Sequence, residues 1–272
     1  MPLLPAFEGE IGTGTGTAIQ AITHWNYASI CRGADSLYQR LLHEVGYPNA
    51  YITFYGLRKH GLLNDKIVSE LVYVHSKLLI ADDRIVIIGS ANINDRSLLG
   101  NRDSEMCLIV EDVDFEKTVM NGRPYEAGRF ACSLRRTLFR YIKKTLLGLF
   151  LFPLDTYEHL GLLDKGNQSV DIRDPVCESF YKEVWIKTAA LNTSIYDKVF
   201  HCIPSDEVHS FAELKEYLSK PTMAVSDPEA AMSLLSGTQG HLVLMPFFFL
   251  CNENLTPSAG TKESLMPVCL WT

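Results

Sequence analysis

The stretch from Tyr73 to Asn92 reads YVHSKLLIADDRIVIIGSAN and decides the fold. Apolar residues dominate both of its halves, and the Asp82-Asp83 pair between them is typical of a turn. The pattern predicts two strands, Leu71 to Ile80 and Arg84 to Ile88, with that turn between them. Near-continuous apolar strands of this kind are buried on both faces, which favours a layered α/β fold.

The same stretch carries polar side chains that suit a phosphodiester. Because side chains alternate along a strand, His75 and Lys77 are predicted to project from one face. Ser90 and Asn92 share a face after the second strand, behind Gly89, which permits close approach. Lysine supplies a compact positive charge, and hydroxyl and amide groups donate hydrogen bonds to a charged phosphate. Histidine can attack phosphorus or protonate a leaving alcohol.

A His-x-Lys pair alone is common by chance, so the longer pattern carries the argument. It constrains several positions together: His75-x-Lys77-x-x-x-x-Asp82, then Gly89-Ser90-x-Asn92. No other histidine is followed two residues later by lysine, and His60 is expected in a loop. No metal-ligand spacing accompanies the pattern, so lysine and polar donors are expected to replace a cation.

Further helices and strands are predicted on both sides of this stretch. Apolar residues at helical spacing predict two helices between Ala18 and Val45, separated near Gly33. The other predicted strands are Tyr51 to Leu57, Glu105 to Val110 and the strand-like His241 to Leu250. The other predicted helices are Pro124 to Leu146, Phe180 to Leu191 and Ser210 to Leu218.

The predicted helix from Pro124 to Leu146 has a basic side. We expect this side to be a solvated face, with phosphate or lipid contact as the alternative. Its members are Arg135, Arg136, Arg140, Lys143 and Lys144.

Composition excludes some classes of protein. The chain is 47% hydrophobic and 21% charged, as globular proteins are, and its net charge of -7 disfavours a nucleic-acid binder. The seven cysteines are scattered without a C-x-x-C pair, so we expect reduced thiols in a cytosolic compartment. We expect no signal peptide.

The longest apolar run, Leu146 to Leu154, is too short to span a bilayer. We expect it to be buried, with a membrane-dipping loop as the alternative.

These patterns resemble the signature of the phospholipase D superfamily. Segments along nearly the whole chain are similar to the animal phosphatidylcholine-hydrolysing members of this superfamily. These segments are Ile88–Gly100, Arg102–Glu105, Ala127–Phe130, Ile195–Phe200, Gly260–Glu263 and Trp271-Thr272. The resemblance implies an α-β-α sandwich with a mixed sheet, of which this chain forms one of two halves. Residues 1–145 would form the second catalytic half, 146–170 an atypical insertion or linker, and 171–272 a C-terminal helical and strand region completing the catalytic domain.

The resemblance also implies roles for single residues. His75 would act as general acid and then base, while a histidine on the facing motif forms a phosphohistidine intermediate. Asp82 would make a structural hydrogen bond behind the site, and Glu105 would orient His75. The phosphate-binding residues would be Lys77, Ser90 and Asn92.

The implied activity is the hydrolysis of phosphatidylcholine to phosphatidate and choline. No cofactor would be needed for the chemistry, although activation by the phosphoinositide PIP2 is implied. The implied partners are a phosphatidylcholine membrane surface, an N-terminal catalytic half or a second copy, and Arf/Rho-type small GTPases, without nucleic acid. The implied location is the cytoplasm, peripheral on the cytosolic face of membranes.

The family needs two facing motifs and this sequence carries one. We therefore expect the isolated chain to be inactive unless a second motif is supplied. Two alternatives stay open. The chain could be a catalytically silent fragment that binds lipid, a small GTPase or the full-length enzyme, or it could be a homodimeric phosphodiesterase or nuclease.

Overall fold

The computed structural model describes residues 17–143, 172–257 and 259–266. Its helices are α1 (Thr17–Tyr27), α2 (Leu37–Val45), α3 (Asp95–Leu98), α4 (Arg129–Lys143), α5 (Glu178–Phe180), α6 (Lys187–Phe200), α7 (Phe211–Ser219), α8 (Met223–Ser226), α9 (Pro228–Leu235) and α10 (Lys262–Leu265). Its strands are β1 (Tyr55–Leu63), β2 (Lys66–Leu71), β3 (Lys77–Ala81), β4 (Ile85–Gly89), β5 (Cys107–Glu111), β6 (Phe115–Met120), β7 (Arg123–Gly128) and β8 (Leu242–Leu244).

The strands form three sheets, in the orders β2-β1-β8, β3-β4-β5 and β6-β7. The α/β class is confirmed, but every described ladder is antiparallel, where a mixed sheet was expected. Tight turns explain three of these ladders, β1–β2, β3–β4 and β6–β7, because such turns can join antiparallel neighbours only. Both residues of each turn have positive φ at Asn64-Asp65, Asp82-Asp83 and Asn121-Gly122, as in the turns that suit hairpins.

Most of the predicted helices are confirmed. The two N-terminal helices are separated at Gly33, after a π-helical turn at Ala28–Arg32 that extends α1. The helix predicted from Ser210 is α7, and the Ser210 side chain caps it by accepting the N–H of Glu213. The helix predicted from Phe180 continues through a π-helical turn to Phe200.

The strand predicted from Tyr51 to Leu57 begins only at Tyr55 and runs on to Leu63. His60 therefore lies in a strand, where a loop was expected, and its Nδ1 is 3.1 Å from the Tyr196 hydroxyl. The hairpin with β2 explains the longer strand, because residues 58–63 pair with residues 66–71.

The helix predicted from Pro124 begins only at Arg129, because residues 123–128 form β7. The Asn121-Gly122 turn folds this segment back onto β6, so its residues enter a ladder. The carboxylate of Asp112 then accepts two backbone N–H groups of the first helical turn, at 3.1 and 2.8 Å. This acceptor satisfies donors that a helix N-terminus leaves unpaired and fixes where α4 begins.

The basic side of α4 is not a solvated face at Arg135, whose side chain is buried. Its Nε and Nη2 donate to the two carboxylate oxygens of Asp83 at 2.6 and 2.7 Å, and its Nη1 donates to the carbonyl of Ile172 at 2.8 Å. Arg136 is also engaged, through Glu116 at 2.6 Å. The side chains of Arg140, Lys143 and Lys144 lie outside the described part of the chain.

The core of the described residues surrounds α6. Ile195, Tyr196 and Val199 pack against α8, α9 and β8. The predicted strand from His241 to Leu250 pairs only at Leu242–Leu244, because the residues that follow bury their side chains against α1 and α7. No helix in the described ranges is long and apolar enough to cross a bilayer. The predicted insertion at 146–170 and the apolar run Leu146 to Leu154 lie outside those ranges.

Asp197, near the end of α6, lies among other acidic groups. Burial and the carboxylates of Glu207 and Asp206 raise the pKa of Asp197 to about 7, although the Ser205 hydroxyl and the Arg58 guanidinium act in the opposite direction. The Ser205 Oγ lies 3.3 Å from the Asp197 Oδ2. The carboxylate form is therefore disfavoured in the folded protein.

We expect Asp197→Asn to flatten the dependence of stability on pH. Because the folded-state pKa is raised from its ordinary 3.8, the folded protein binds the proton more tightly, and wild-type stability falls as pH rises from 3.8 to about 7. At pH 8 the variant should have a Tm higher by about 3–6 °C, and at pH 3.5 the two proteins should agree. Thermal unfolding at both pH values, with exposed Asp35→Asn as control, checks this. The same Tm difference at both pH values would contradict it.

Candidate functional site

His75 lies in the segment 72–76, which connects two sheets. The predicted strand from Leu71 to Ile80 is therefore wrong as a single strand: it is divided between β2, which ends at Leu71, and β3, which begins at Lys77. The ladder with β1 ends at Leu71 and the ladder with β4 begins at Lys77, so the residues between them belong to neither. The His75 imidazole is exposed, and its ring centroid lies 6.1 Å from that of Tyr73.

Lys77 stands at the end of the β3-β4-β5 sheet nearest to His75. In the ladder it lies opposite Gly89, which lies opposite Cys107. The Lys77 Nζ donates to the backbone carbonyl of His75 at 2.7 Å, which keeps the ammonium beside the histidine.

Gly89 is required by the close approach of β4 and β5. A Cβ atom at this position would lie 2.3 Å from the Met106 carbonyl oxygen and 2.6 Å from the Cys107 Cα. Both obstacles are backbone atoms, which cannot move aside as the end of a side chain can. The prediction that glycine permits close approach here is confirmed.

Ser90 and Asn92 follow β4 and reach the same end of the sheet. The Ser90 Oγ accepts the Met106 N–H at 3.0 Å and donates to the Glu105 Oε2 at 2.5 Å. The backbone N–H of Asn92 donates to the Ser97 Oγ at 3.1 Å. The Asn92 side-chain amide is exposed and has no hydrogen-bond partner within the described ranges, so it is available to a ligand.

Glu105 is linked to the serines and not to His75. Hydrogen bonds from Ser90 and then Ser97 lower the pKa of Glu105, with a smaller contribution from the Lys77 ammonium, so the carboxylate is ionised at neutral pH. The expected contact between Glu105 and the His75 imidazole is not made in this structure. The physical reason is that the Glu105 carboxylate accepts a hydrogen bond from the Ser90 hydroxyl. His75 lies in segment 72–76, which belongs to no ladder, so no strand pairing holds it close to Glu105.

Of the two aspartates in the β3–β4 turn, the buried one is Asp83, and not Asp82. Asp82 is exposed in the turn at the far end of β3, where its backbone carbonyl accepts the Tyr125 hydroxyl at 2.7 Å. The carboxylate that makes buried structural hydrogen bonds is that of Asp83, through Arg135. The motif could not reveal this pair, since its partners are 52 residues apart in sequence.

The result is a set of five functional groups at one end of a three-stranded sheet: imidazole, ammonium, amide, hydroxyl and carboxylate. They can hold a phosphate oxygen, donate hydrogen bonds to it and transfer a proton. No three His, Cys, Asp or Glu side chains of residues 17–143, 172–257 and 259–266 are arranged to bind a metal ion.

A family model described as Phospholipase D matches residues 56–111, which include all the predicted site residues. The chain is 51% identical over 274 residues to human phospholipase D1, with 100% of this chain and 24% of the human protein aligned. It is 48% identical over 273 residues to bovine phospholipase D2, with 100% and 27% aligned. It is 39% identical over 290 residues to phospholipase D zeta 1 of Arabidopsis thaliana, with 97% and 24% aligned.

The chain thus spans about a quarter of the length of the curated relatives it matches. The matched quarter contains the histidine, lysine, serine and asparagine that meet at the end of the β3-β4-β5 sheet. The site and the similarity along the entire sequence agree: the chain belongs to the phospholipase D superfamily.

Proposed function

We propose that this chain supplies one of the two catalytic motifs of a phospholipase D that hydrolyses phosphatidylcholine to phosphatidate and choline. One observation carries the proposal: His75, Lys77 and Asn92 lie at or next to the same end of the β3-β4-β5 sheet, and their side chains are not committed to other side chains of the described residues. Such a set can receive a phosphodiester without first breaking an internal ion pair.

The proposed reaction has two steps. A histidine on the facing motif attacks phosphorus, the bond from phosphorus to the choline oxygen breaks, and His75 gives its proton to that oxygen. His75 then removes a proton from water, whose oxygen attacks phosphorus and releases phosphatidate from the histidine. Lys77 and Asn92 donate to the non-bridging oxygens, and Ser90 supports them. Orientation of His75 by Glu105 stays a prediction, which needs segment 72–76 to approach that carboxylate.

The exposed apolar residues of the β3-β4-β5 sheet support the need for a second half. Leu79 and Ile109 lie on one face and are 47% and 61% exposed, while Ile88 and Leu108 lie on the other and are 48% and 66% exposed. Exposed apolar patches of this kind mark interaction surfaces. An N-terminal catalytic half would cover them and bring the missing nucleophile. A second copy could do the same about a two-fold axis.

The wider setting is proposed from the resemblance alone. No cofactor would take part in the chemistry, and the phosphoinositide PIP2 would activate the complete enzyme. Arf/Rho-type small GTPases would bind it. It would work in the cytoplasm, peripherally on the cytosolic face of phosphatidylcholine membranes.

The exposed sheet is also compatible with two other functions. A homodimeric phosphodiesterase would use two copies of His75, although the net charge of -7 disfavours a nucleic-acid substrate. A catalytically silent chain would use the apolar faces to bind the full-length enzyme, a small GTPase or lipid.

The proposal is tested by transphosphatidylation of phosphatidylcholine vesicles with a primary alcohol. We expect the purified chain alone to give no product and an equimolar mixture with a separately expressed N-terminal catalytic half to give phosphatidylalcohol. Product from the chain alone, at a rate that rises with the square of its concentration, would instead establish a homodimeric site. A stable complex of the two halves without any product would overturn the catalytic proposal.

A further inference from the structure

Ser97 is a buried hydroxyl residue on an otherwise exposed loop. Its exposed fraction is 8%, whereas Ile93 and Leu98 on the same loop are 94% and 63% exposed. The loop leaves β4 at the phosphate-binding residues, makes the single turn of α3 and returns to Glu105. The side chain of Asn94 fixes the start of this turn by accepting the Ser97 N–H at 3.0 Å.

The Ser97 hydroxyl joins two parts of the site. Its oxygen accepts the backbone N–H of Asn92 at 3.1 Å, and its hydrogen bond to Glu105 contributes to the lowered pKa of that carboxylate. A serine hydroxyl has one hydrogen to donate and can accept at the same time, so both contacts can exist together. The Ser97 hydroxyl thus bonds the backbone at Asn92 and lowers the pKa of the Glu105 carboxyl.

Ser90 repeats this arrangement at the other end of the loop. Its oxygen accepts the Met106 N–H, and its hydrogen goes to Glu105. Each serine thus holds a backbone N–H, and both serine hydroxyls lower the pKa of the Glu105 carboxyl.

We propose that Ser97 is a positioning residue of the phosphate site, whose hydroxyl fixes the loop carrying Asn92 relative to Glu105. This inference rests on the proposed function, in which Asn92 donates to a phosphate oxygen. Ser97 itself does not touch substrate. Its effect is to restrict the positions available to the Asn92 amide, because a donor displaced by about 1 Å loses much of its effect on a reacting group.

The consequence for turnover is specific. If the Asn92 amide donates to charge that develops at phosphorus, its displacement weakens binding of the transition state more than binding of the substrate. We expect Ser97→Ala to lower kcat by about 10-fold with KM within about twofold, less than the 10²–10³ expected when a donor is removed outright. Ser97→Thr keeps the hydroxyl and should restore most of the rate.

A matched control is available on the same loop. Arg96 forms an exposed ion pair with Asp103 at 2.6 Å, which also closes the loop but touches neither Asn92 nor Glu105. Arg96→Ala therefore loosens the loop without removing the serine bridge. Since exposed ion pairs contribute about 0–1 kcal/mol, we expect its kcat to stay within about twofold of wild type.

The experiment has two arms. In the first, carbon-13 NMR follows the titration of the Glu105 carboxyl in this chain alone; Ser97→Ala should raise its pKa, and Ser97→Thr should not. In the second, kcat and KM of the same variants are measured on phosphatidylcholine vesicles with the N-terminal catalytic half. The NMR arm does not depend on enzymatic activity. If the wild-type chain mixed with the N-terminal catalytic half is inactive, the proposed function is contradicted, and the titration alone tests the role of Ser97. An unchanged Glu105 pKa in Ser97→Ala, or an equal loss of kcat in Ser97→Ala and Arg96→Ala, would overturn the positioning role.

Discussion

Replacement of His75 by alanine is expected to lower phosphatidylcholine turnover by roughly 10²–10⁴-fold when the chain is paired with the N-terminal catalytic half. The departing choline oxygen is a poor leaving group unless it receives a proton, and the same group must later take a proton from water. In the proposed function His75 does both; its side chain is exposed, and the Lys77 Nζ is bonded to its carbonyl. The fold should be unaffected, because the His75 side chain is exposed.

The measurement is the initial rate of phosphatidylalcohol formation, with His43→Ala as the matched control. The His43 side chain is 87% exposed on α2 and belongs to no part of the site, so its variant should keep the wild-type rate. Circular dichroism spectra of the three proteins should coincide. A His75→Ala rate within about threefold of wild type would contradict the acid and base role, since general acid–base groups contribute far more.

Replacement of Arg135 by alanine is expected to lower the free energy of unfolding by about 3–5 kcal/mol. The Arg135 and Asp83 side chains are 8% and 2% exposed and share two hydrogen bonds, so removal of the arginine leaves a buried carboxylate without its counter-charge. The carbonyl of Ile172 also loses a donor. The β3–β4 turn would lose the contact that holds it against α4.

Arg129→Ala is the control, because it removes an arginine from the same helix. Arg129 pairs with Asp114 at 2.7 Å, but the two side chains are 60% and 67% exposed, and such pairs contribute about 0–1 kcal/mol. Urea denaturation of both variants, followed by fluorescence, compares how much each substitution lowers the free energy of unfolding. Equal costs for the two variants would show that the Asp83–Arg135 pair does not anchor the turn.

Some features that the prediction missed were readable from local sequence. Asn121-Gly122 is the strongest short-range hairpin signal, and residues 115–128 form a hairpin around it. The helix predicted from Pro124 is wrong over residues 123–128, because this turn folds them into a strand paired with β6. Asn64-Asp65 is a turn of the same kind, and it explains why β1 extends past His60.

Other features had no local signal. The pairing of Asp83 with Arg135 joins residues 52 positions apart, and nothing in the helical spacing of α4 distinguishes Arg135 from an exposed arginine. Local sequence also could not predict the exposure of four apolar strand residues: Leu79, Ile88, Leu108 and Ile109. Apolar strands predict burial, but they do not say whether the covering layer belongs to the same chain.

The sequence by itself determined that two strands meet at the Asp82-Asp83 turn, and it predicted which chemical groups form the candidate site. The hairpin could be read this way because alternation along a strand and turn preferences act between neighbouring residues. Only the tertiary structure decided that Glu105 bonds to Ser90, that Asp83 is the buried aspartate, and that His75 stands between two sheets. These outcomes depend on how separate segments pack, and the free energy of a hydrogen bond or ion pair between them is set by distance and burial, which residue order does not record.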